Sequence, residues 1–199
     1  MDLAVIGAGG HAKVVIASAR AAGRKIVAVL DDRTERQGEP FEGIVVTGPV
    51  RDRLKELQDV EVFLAVGDNR VRAELVDLSP VRFATLIHPF SWVAPDVRIG
   101  AGSLVCAGVV IQPGASVGRQ CIVNTSSSID HDCILEDFVH ISPGAHLAGG
   151  VVVREGAHVG IGATVIQTLE IGAWSVVGGG AAVVRSVPSN VVVKGVPAR

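Results

Sequence analysis

From Ile87 onward the chain repeats every six residues. Ile, Val or Leu occupies positions 87, 93, 99 and each sixth position to Val183, seventeen anchors without a miss. Four residues after an anchor comes a small or aliphatic residue, as at Ser103, Val109, Ala115, Cys121, Ser127 and Cys133. Three residues after an anchor glycine recurs, at 102, 108, 114, 144, 150, 156, 162 and 180, where a tight corner requires a backbone tolerant of positive φ. A period of six is neither that of a helix nor that of a flat strand. It predicts a parallel β-helix in which each short strand turns one side chain inward. Three hexads make one three-sided coil of 18 residues, so residues 18 apart stack about 4.8 Å from one another. Seventeen hexads give just under six coils. Before residue 87 the pattern differs. The apolar runs Leu3–Ile6, Ile26–Leu30, Ile44–Val46 and Val62–Val66 alternate with helical stretches near His11–Ala22, Arg51–Leu57 and 70–78, and Arg82–Ile87 leads out. Strands alternating with helices predict a small parallel sheet. The chain thus divides into residues 1–86 and 87–199.

Composition supports that division. The 199 residues include 36 Val and 24 Gly but only 5 Phe, 2 Trp and no Tyr, so the core is built from small β-branched side chains. Sixteen of the glycines follow residue 86, whereas 25 of the 38 charged residues precede residue 87. A chain this long buries a core without disulfide or metal staples. A net charge of −2 argues against a broad nucleic-acid footprint. Three cysteines, Cys106, Cys121 and Cys133, form no CxxC pair and suit a reducing cytoplasm. Asp2, His11 and Lys13 argue against a signal peptide, and no apolar run reaches the roughly 18 residues of a membrane span.

Two segments carry candidate chemistry. Gly7-x-Gly9-x-x-Ala12 follows a strand and opens a helix, with Asp31 and Asp32 at the end of the next strand. This fits a dinucleotide fingerprint, but 86 residues hold one mononucleotide-binding half, and a dinucleotide overhangs. The plainer reading is a glycine turn that serves only helix–strand packing. The second segment is Ile129-Asp130-His131-Asp132-Cys133. With Ile129 and Cys133 inward, His131 points outward between two carboxylates, suited to act as a base with a raised pKa; otherwise it merely solvates the coil. Gly149 stacks one coil on, where its N–H can face a ligand carbonyl. Asn124 either orients a ligand or occupies a corner as a turn residue. His140 and His158 are stacked neighbours, and two imidazoles alone do not make a zinc site, so no metal is expected. His158 reads as surface, His88 as structural before Pro89, and His146 has no assigned role. Val152, Ile166 and Val184 are apolar outside the inward anchors, so they form an interface or add side packing.

The hexads resemble those of the hexapeptide-repeat acyltransferases. Within that group the whole chain is similar to bacterial UDP-4-amino-sugar N-acetyltransferases and the related sialic-acid O-acetyltransferase-like proteins. The matching blocks are Gly7-Ala8-Gly9-Gly10-His11-Ala12, Leu30-Asp31-Asp32, Ala65-Val66-Gly67-Asp68-Asn69, Asn124-Thr125-Ser126-Ser127, Ile129-Asp130-His131-Asp132, Gly178-Gly179-Gly180-Ala181 and Gly195-Val196-Pro197-Ala198-Arg199. The resemblance implies an α/β Rossmann-like nucleotide-sugar-binding domain over 1–86 and an all-β left-handed parallel β-helix with a C-terminal tail over 87–199. It also implies a cytoplasmic homotrimer of glycan biosynthesis with sites between chains. Gly9, Gly10 and His11 would lie near the diphosphate, Asp31 and Asp32 near the base, and Gly67 would close the pocket. His140, Gly149, Ile161 and Gly179 would line acetyl-CoA, with Lys194 or Arg199 near its phosphates. His131, held by Asp132, would deprotonate the attacking sugar amine, with Asn124 beside the acceptor. The competing readings are sugar O-acetylation, a non-catalytic nucleotide-sugar scaffold and a Rossmann-type oxidoreductase domain on a structural helix.

Overall fold

The computed structural model describes residues 2–56, 59–76 and 81–199. The first part holds β1 (Asp2–Ile6), α1 (Gly10–Ala21), β2 (Lys25–Leu30), β3 (Pro40–Phe41), β4 (Ile44–Thr47), α2 (Val50–Glu56), β5 (Glu61–Leu64) and α3 (Asn69–Leu75). Leu57 and residues 77–78, expected at helix ends, lie outside the described residues. The sheet order is β3-β4-β2-β1-β5, parallel except for β3 against β4. The β3–β4 hairpin was not apparent in the hydrophobic pattern. Its two turn residues, Glu42 and Gly43, both have positive φ, as a tight hairpin turn demands. In α1 the spacing of Ala12, Val15, Ile16 and Ala19 puts four fully buried residues on one face, which packs on the sheet and on the start of the β-helix.

The second part is a parallel β-helix of two-residue strands, the second residue of each being the anchor. Three sheets of six, five and seven strands form its sides, with partners 18 residues apart, as in Val110↔Ser128 and Ile111↔Ile129. Its first strand begins at Leu86, which pairs with Leu104. Every anchor from Val105 to Val183 is buried, but Ile87, in the first coil with nothing stacked beneath it, is 42% exposed. The last coil is two residues shorter: Val177 pairs with Val193 and Ile171 with Val187. Cys106, Cys121 and Cys133 are free thiols facing inward, and burial pushes Cys121 up to about 12 and Cys106 up to about 11. They are packing residues rather than nucleophiles.

All eight predicted corner glycines have φ between 63 and 77°. The same corner is adopted by Gln120, Ser126, Asp132, Phe138, Thr168 and Trp174, at φ of 55–62°. A side chain in this left-handed conformation costs on the order of 1 kcal/mol, so each of these six positions carries strain that a glycine would not. Gln120 and Phe138 are buried against the first domain, and Asp132 adjoins His131.

Candidate active site

The structure gathers the glycine turn, His11, Asp31, Asp32 and Gly67 around one pocket of about 450 Å³ in the N-terminal domain. Gly7, at φ 106°, lets the chain turn beneath Ala65, whose carbonyl oxygen would lie 3.0 Å from any Cβ there. The N-cap of α1 is Gly9, with no side-chain cap and no acid in the first turn, so the first N–H groups remain available to an anion. Asp31 accepts the Ala8 N–H at 2.8 Å and is forked by Arg33 through Nε at 2.9 Å and Nη2 at 2.7 Å. Hydrogen bonding from Arg33 holds its carboxyl down to about 2. Both Asp31 oxygens are therefore committed to shaping the turn. Asp32 accepts the Val50 N–H at 2.7 Å through Oδ1, leaving Oδ2 as the pocket's carboxylate acceptor among the described residues.

His11 lines the pocket. His140 and His158 stack with centroids 4.7 Å apart and planes 8° from parallel. His158, expected at the surface, is partly buried, and its Nε2 lies 2.7 Å from the Ser142 hydroxyl. Thr125 N–H donates to Asn124 Oδ1 at 2.8 Å, so Asn124 Nδ2 donates to His140 Nε2 at 3.3 Å, and the His140 proton sits on Nδ1. Burial, then His158, pushes His140 down to about 3; burial, then Arg72, pushes His11 down to about 4. The Gly67 backbone acts weakly the other way on His140 without completing a hydrogen bond to Nδ1. Among the described residues, His11 Nε2 and His140 Nδ1 are both buried without a partner. Imidazoles held below their unfolded value of 6.5 contribute stability that is complete above pH 6.5 and lost as pH falls towards 4 and 3. Melting temperature is therefore expected to drop between pH 7 and 5.5, with roughly 1 kcal/mol lost per imidazole. An unchanged melting temperature across that interval would contradict the neutral pair.

His131 lies on a different edge, the corner after the first sheet. Its exposed ring is held by Asp132 Oδ2, 2.8 Å from Nδ1, while Asp130 Oδ1 accepts the His131 backbone N–H at 2.8 Å. The Asp132 hydrogen bond raises the His131 pKa above its ordinary value, with smaller contributions from the charges of Asp130 and Asp132. Nε2 has no hydrogen-bond partner among the described residues. A Cβ on Gly149 would come within 2.5 Å of both Cε1 and Nε2, so the ring lies directly over this glycine. The Gly150 N–H donates to the His131 carbonyl at 2.9 Å, and the Gly149 N–H has no partner among the described residues. The exposed imidazole thus covers a buried glycine whose N–H has no partner among the described residues.

Other candidates lie elsewhere. Ile161 and Gly179 stack on the corner after the third sheet, where a Gly179 Cβ would meet Ile161 Cγ2 at 3.0 Å. Lys194 packs against neighbouring Gly178, and its backbone bonds that of Arg199. Asn124 also lies after the third sheet, bonded to His140, rather than beside His131 as proximity in sequence suggested. Within one chain the nucleotide-sized pocket, the His131 surface and the Ile161–Gly179 edge are separate. Elsewhere His88 Nδ1 accepts the Phe90 N–H at 3.1 Å, a turn-forming role, and His146 Nδ1 lies 2.8 Å from the Ser128 hydroxyl. No group of three or more His, Cys, Asp or Glu among the described residues is placed to hold a metal, and no described helix is long and apolar enough to cross a membrane. Sequence reasoning missed Arg72, whose guanidinium ties the pocket wall to the coils. The available signal was the segment Gly67-Asp68-Asn69-x-x-Arg72.

Residues 2–78 match the family described as the PglD N-terminal domain. A search of curated protein sequences returned no match. Among solved structures, a histidine variant of perosamine N-acetyltransferase from Caulobacter crescentus, in complex with CoA and GDP-perosamine, is 40% identical; the match covers 100% of this chain and 96% of that one, with a TM-score of 0.93. The acetyltransferase domain of PglB from Neisseria gonorrhoeae, in complex with acetyl coenzyme A, is 41% identical over 100% of this chain and 98% of that one, at a TM-score of 0.92. WeeI from Acinetobacter baumannii is 30% identical over 100% and 99%, also at 0.92. Agreement at these identities, over both domains at once, establishes that the chain belongs to the hexapeptide-repeat N-acetyltransferases built on a left-handed parallel β-helix.

Proposed function

We propose that this protein transfers the acetyl group of acetyl-CoA to the amino group of a nucleotide-linked amino sugar, with His131 as general base. The observation that carries this reading is the exposed His131 ring, fixed at Nδ1 by Asp132, with Nε2 against Gly149, whose N–H has no partner among the described residues. Residues 1–86 hold the nucleotide sugar, with the diphosphate at the glycine turn and Asp32 Oδ2 as a hydrogen-bond acceptor for the base. Residues 87–199 carry out the transfer. The amine attacks the thioester carbonyl carbon as its proton passes to His131 Nε2. The Gly149 N–H faces the developing negative charge on the carbonyl oxygen. The carbon–sulfur bond breaks, and the imidazolium returns the proton to the departing thiolate. The chemistry needs no covalent enzyme intermediate.

Separation of the three clusters on one chain is accounted for by a homotrimer in which His131 and Gly149 of one copy face the pocket or the Ile161–Gly179 edge of the next. Ile134, Ile166 and Val184, each more than 40% exposed, supply apolar surface for such contacts. Perosamine N-acetyltransferase binds a GDP-linked sugar; here the product is an N-acetylated nucleotide sugar, an activated donor for glycan assembly in the cytoplasm. The test is a panel of UDP-, GDP- and TDP-linked amino sugars and their hydroxyl analogues, followed by release of free CoA thiol, with light scattering on the same sample. Thiol release with at least one amino sugar from a trimeric species is expected. Turnover confined to hydroxyl acceptors would replace N- with O-transfer, and binding without turnover would make the protein a scaffold.

A further inference from the structure

Among the described residues Arg72 is the largest fully buried side chain, at 1% exposed, and none of its hydrogen-bond partners there is a carboxylate. Burial pulls its pKa down to about 10, which leaves it charged at neutral pH. Every bond of its fork ends on an oxygen. Nη1 donates to the Val66 and Gly67 carbonyls, each at 3.0 Å, and Nη2 to Asn69 Oδ1 at 2.8 Å and the Phe138 carbonyl at 3.0 Å. Nε donates to the Gln120 carbonyl at 3.0 Å. Asn69, one turn earlier on α3, donates to the Gly156 carbonyl at 3.0 Å and approaches that of Ala157 at 3.3 Å. Gln120, Phe138 and Gly156 are 18 residues apart, so α3 spans the same corner of three successive coils. Asp68 starts that helix in register by accepting the Arg70 and Val71 N–H groups.

An apolar contact would hold two domains together without the penalty of burying a charge. A planar five-donor fork instead fixes direction, because its bonds are met in one arrangement only. The carbonyls it gathers belong to two bodies, the Val66–Gly67 wall of the nucleotide-sized pocket and the coil corners. We propose that Arg72, seconded by Asn69, is a positioning residue that registers the substrate pocket against the β-helix and so sets where the sugar amine arrives relative to the acetyl-transfer surface. This role rests on the functional reading above. It predicts a defect in turnover rather than in nucleotide binding, since the glycine turn and Asp32 lie wholly within the first domain. Arg72→Lys keeps the charge but not the fork. Asn69→Ala removes the second tie and one support of the guanidinium.

The experiment measures kcat per nucleotide-binding site, counted by titration with UDP or GDP, so that misfolded protein drops out. A fall of about 10- to 100-fold in both variants is expected, since a displacement near 1 Å suffices for such a loss. The Kd for the nucleoside diphosphate and the KM for acetyl-CoA should stay within about twofold. If kcat per site stays within twofold of wild type in both variants, or if both lose nucleotide binding altogether, the positioning role is wrong. A wild-type protein inactive across the whole sugar panel overturns the functional reading and this role with it, an outcome distinguishable from a defect confined to the variants.

Discussion

His131→Ala is expected to lower kcat by about 10² to 10⁴, the range general-base catalysis supplies, while the melting temperature stays within a degree or two. The two halves of this expectation have one origin. The ring projects from a coil corner into solvent, contacts Asp132 and overlies Gly149, and fills no core position, so its loss leaves no cavity. Its protonation state sets the pH profile. The base must be neutral to accept a proton, and its pKa is raised chiefly by the Asp132 hydrogen bond. Activity should therefore fall as pH drops through a value above 6.5. Asp132→Asn removes the principal cause of that rise, so the acid limb should move to lower pH. Turnover at the plateau should also drop, because an amide can hold the ring in the wrong tautomer. Full turnover of a folded His131→Ala protein would remove His131 from the mechanism, and an acid limb unmoved in Asp132→Asn would assign that limb to another group.

The β-helix could be read from the hexads because each coil repeats one local rule: inward anchor, small residue, tight corner. Even the outward direction of His131 and its stacking over Gly149 followed from counting by two and by eighteen. Three features resisted that counting. Asp31 reads as a ligand-binding carboxylate by its place at a strand end, yet Arg33, two residues on, takes both its oxygens, a side-chain fork that no spacing rule specifies. Asn124 is seven residues from His131 but lies beyond a different side of the prism, because sequence proximity in a coil does not mean a shared edge. His158 was misplaced because solvent exposure on a β-helix depends on what docks there, and hexads contain nothing about the first domain. The docking edge did leave a trace, however. Gln120 and Phe138 stand where glycine fits with less strain, and α3 bonds to their carbonyls. Ser126, Asp132 and Thr168 lack glycine at corners away from that edge, so the trace is legible only once the edge is known.

Gly149→Ala should separate catalysis from folding more cleanly than any change at the base itself. Gly149 does not adopt a left-handed φ, so alanine is compatible with its backbone. The added methyl would stand 2.5 Å from two atoms of the His131 ring, which is the free end of an exposed side chain and can swing aside. Gly149 is buried beneath that ring, so the cost is that of displacing the ring from its Asp132 hydrogen bond, and stability should fall by about 1 kcal/mol at most. The ring cannot swing aside and keep Nε2 over Gly149. Turnover should fall about 100-fold through misplacement of the base alone. The neighbouring Gly150→Ala supplies the reverse case. Its φ of 68° makes any side chain cost about 1 kcal/mol, while its Cβ would make only ordinary contact with Thr168, away from the imidazole. A lower melting temperature with turnover per folded site preserved is expected there. If Gly150→Ala lost activity as Gly149→Ala does, the corner as a whole would matter rather than the placement of His131 above a bare backbone. If Gly149→Ala kept full activity, the attacking amine and the imidazole would have to meet somewhere other than over that glycine.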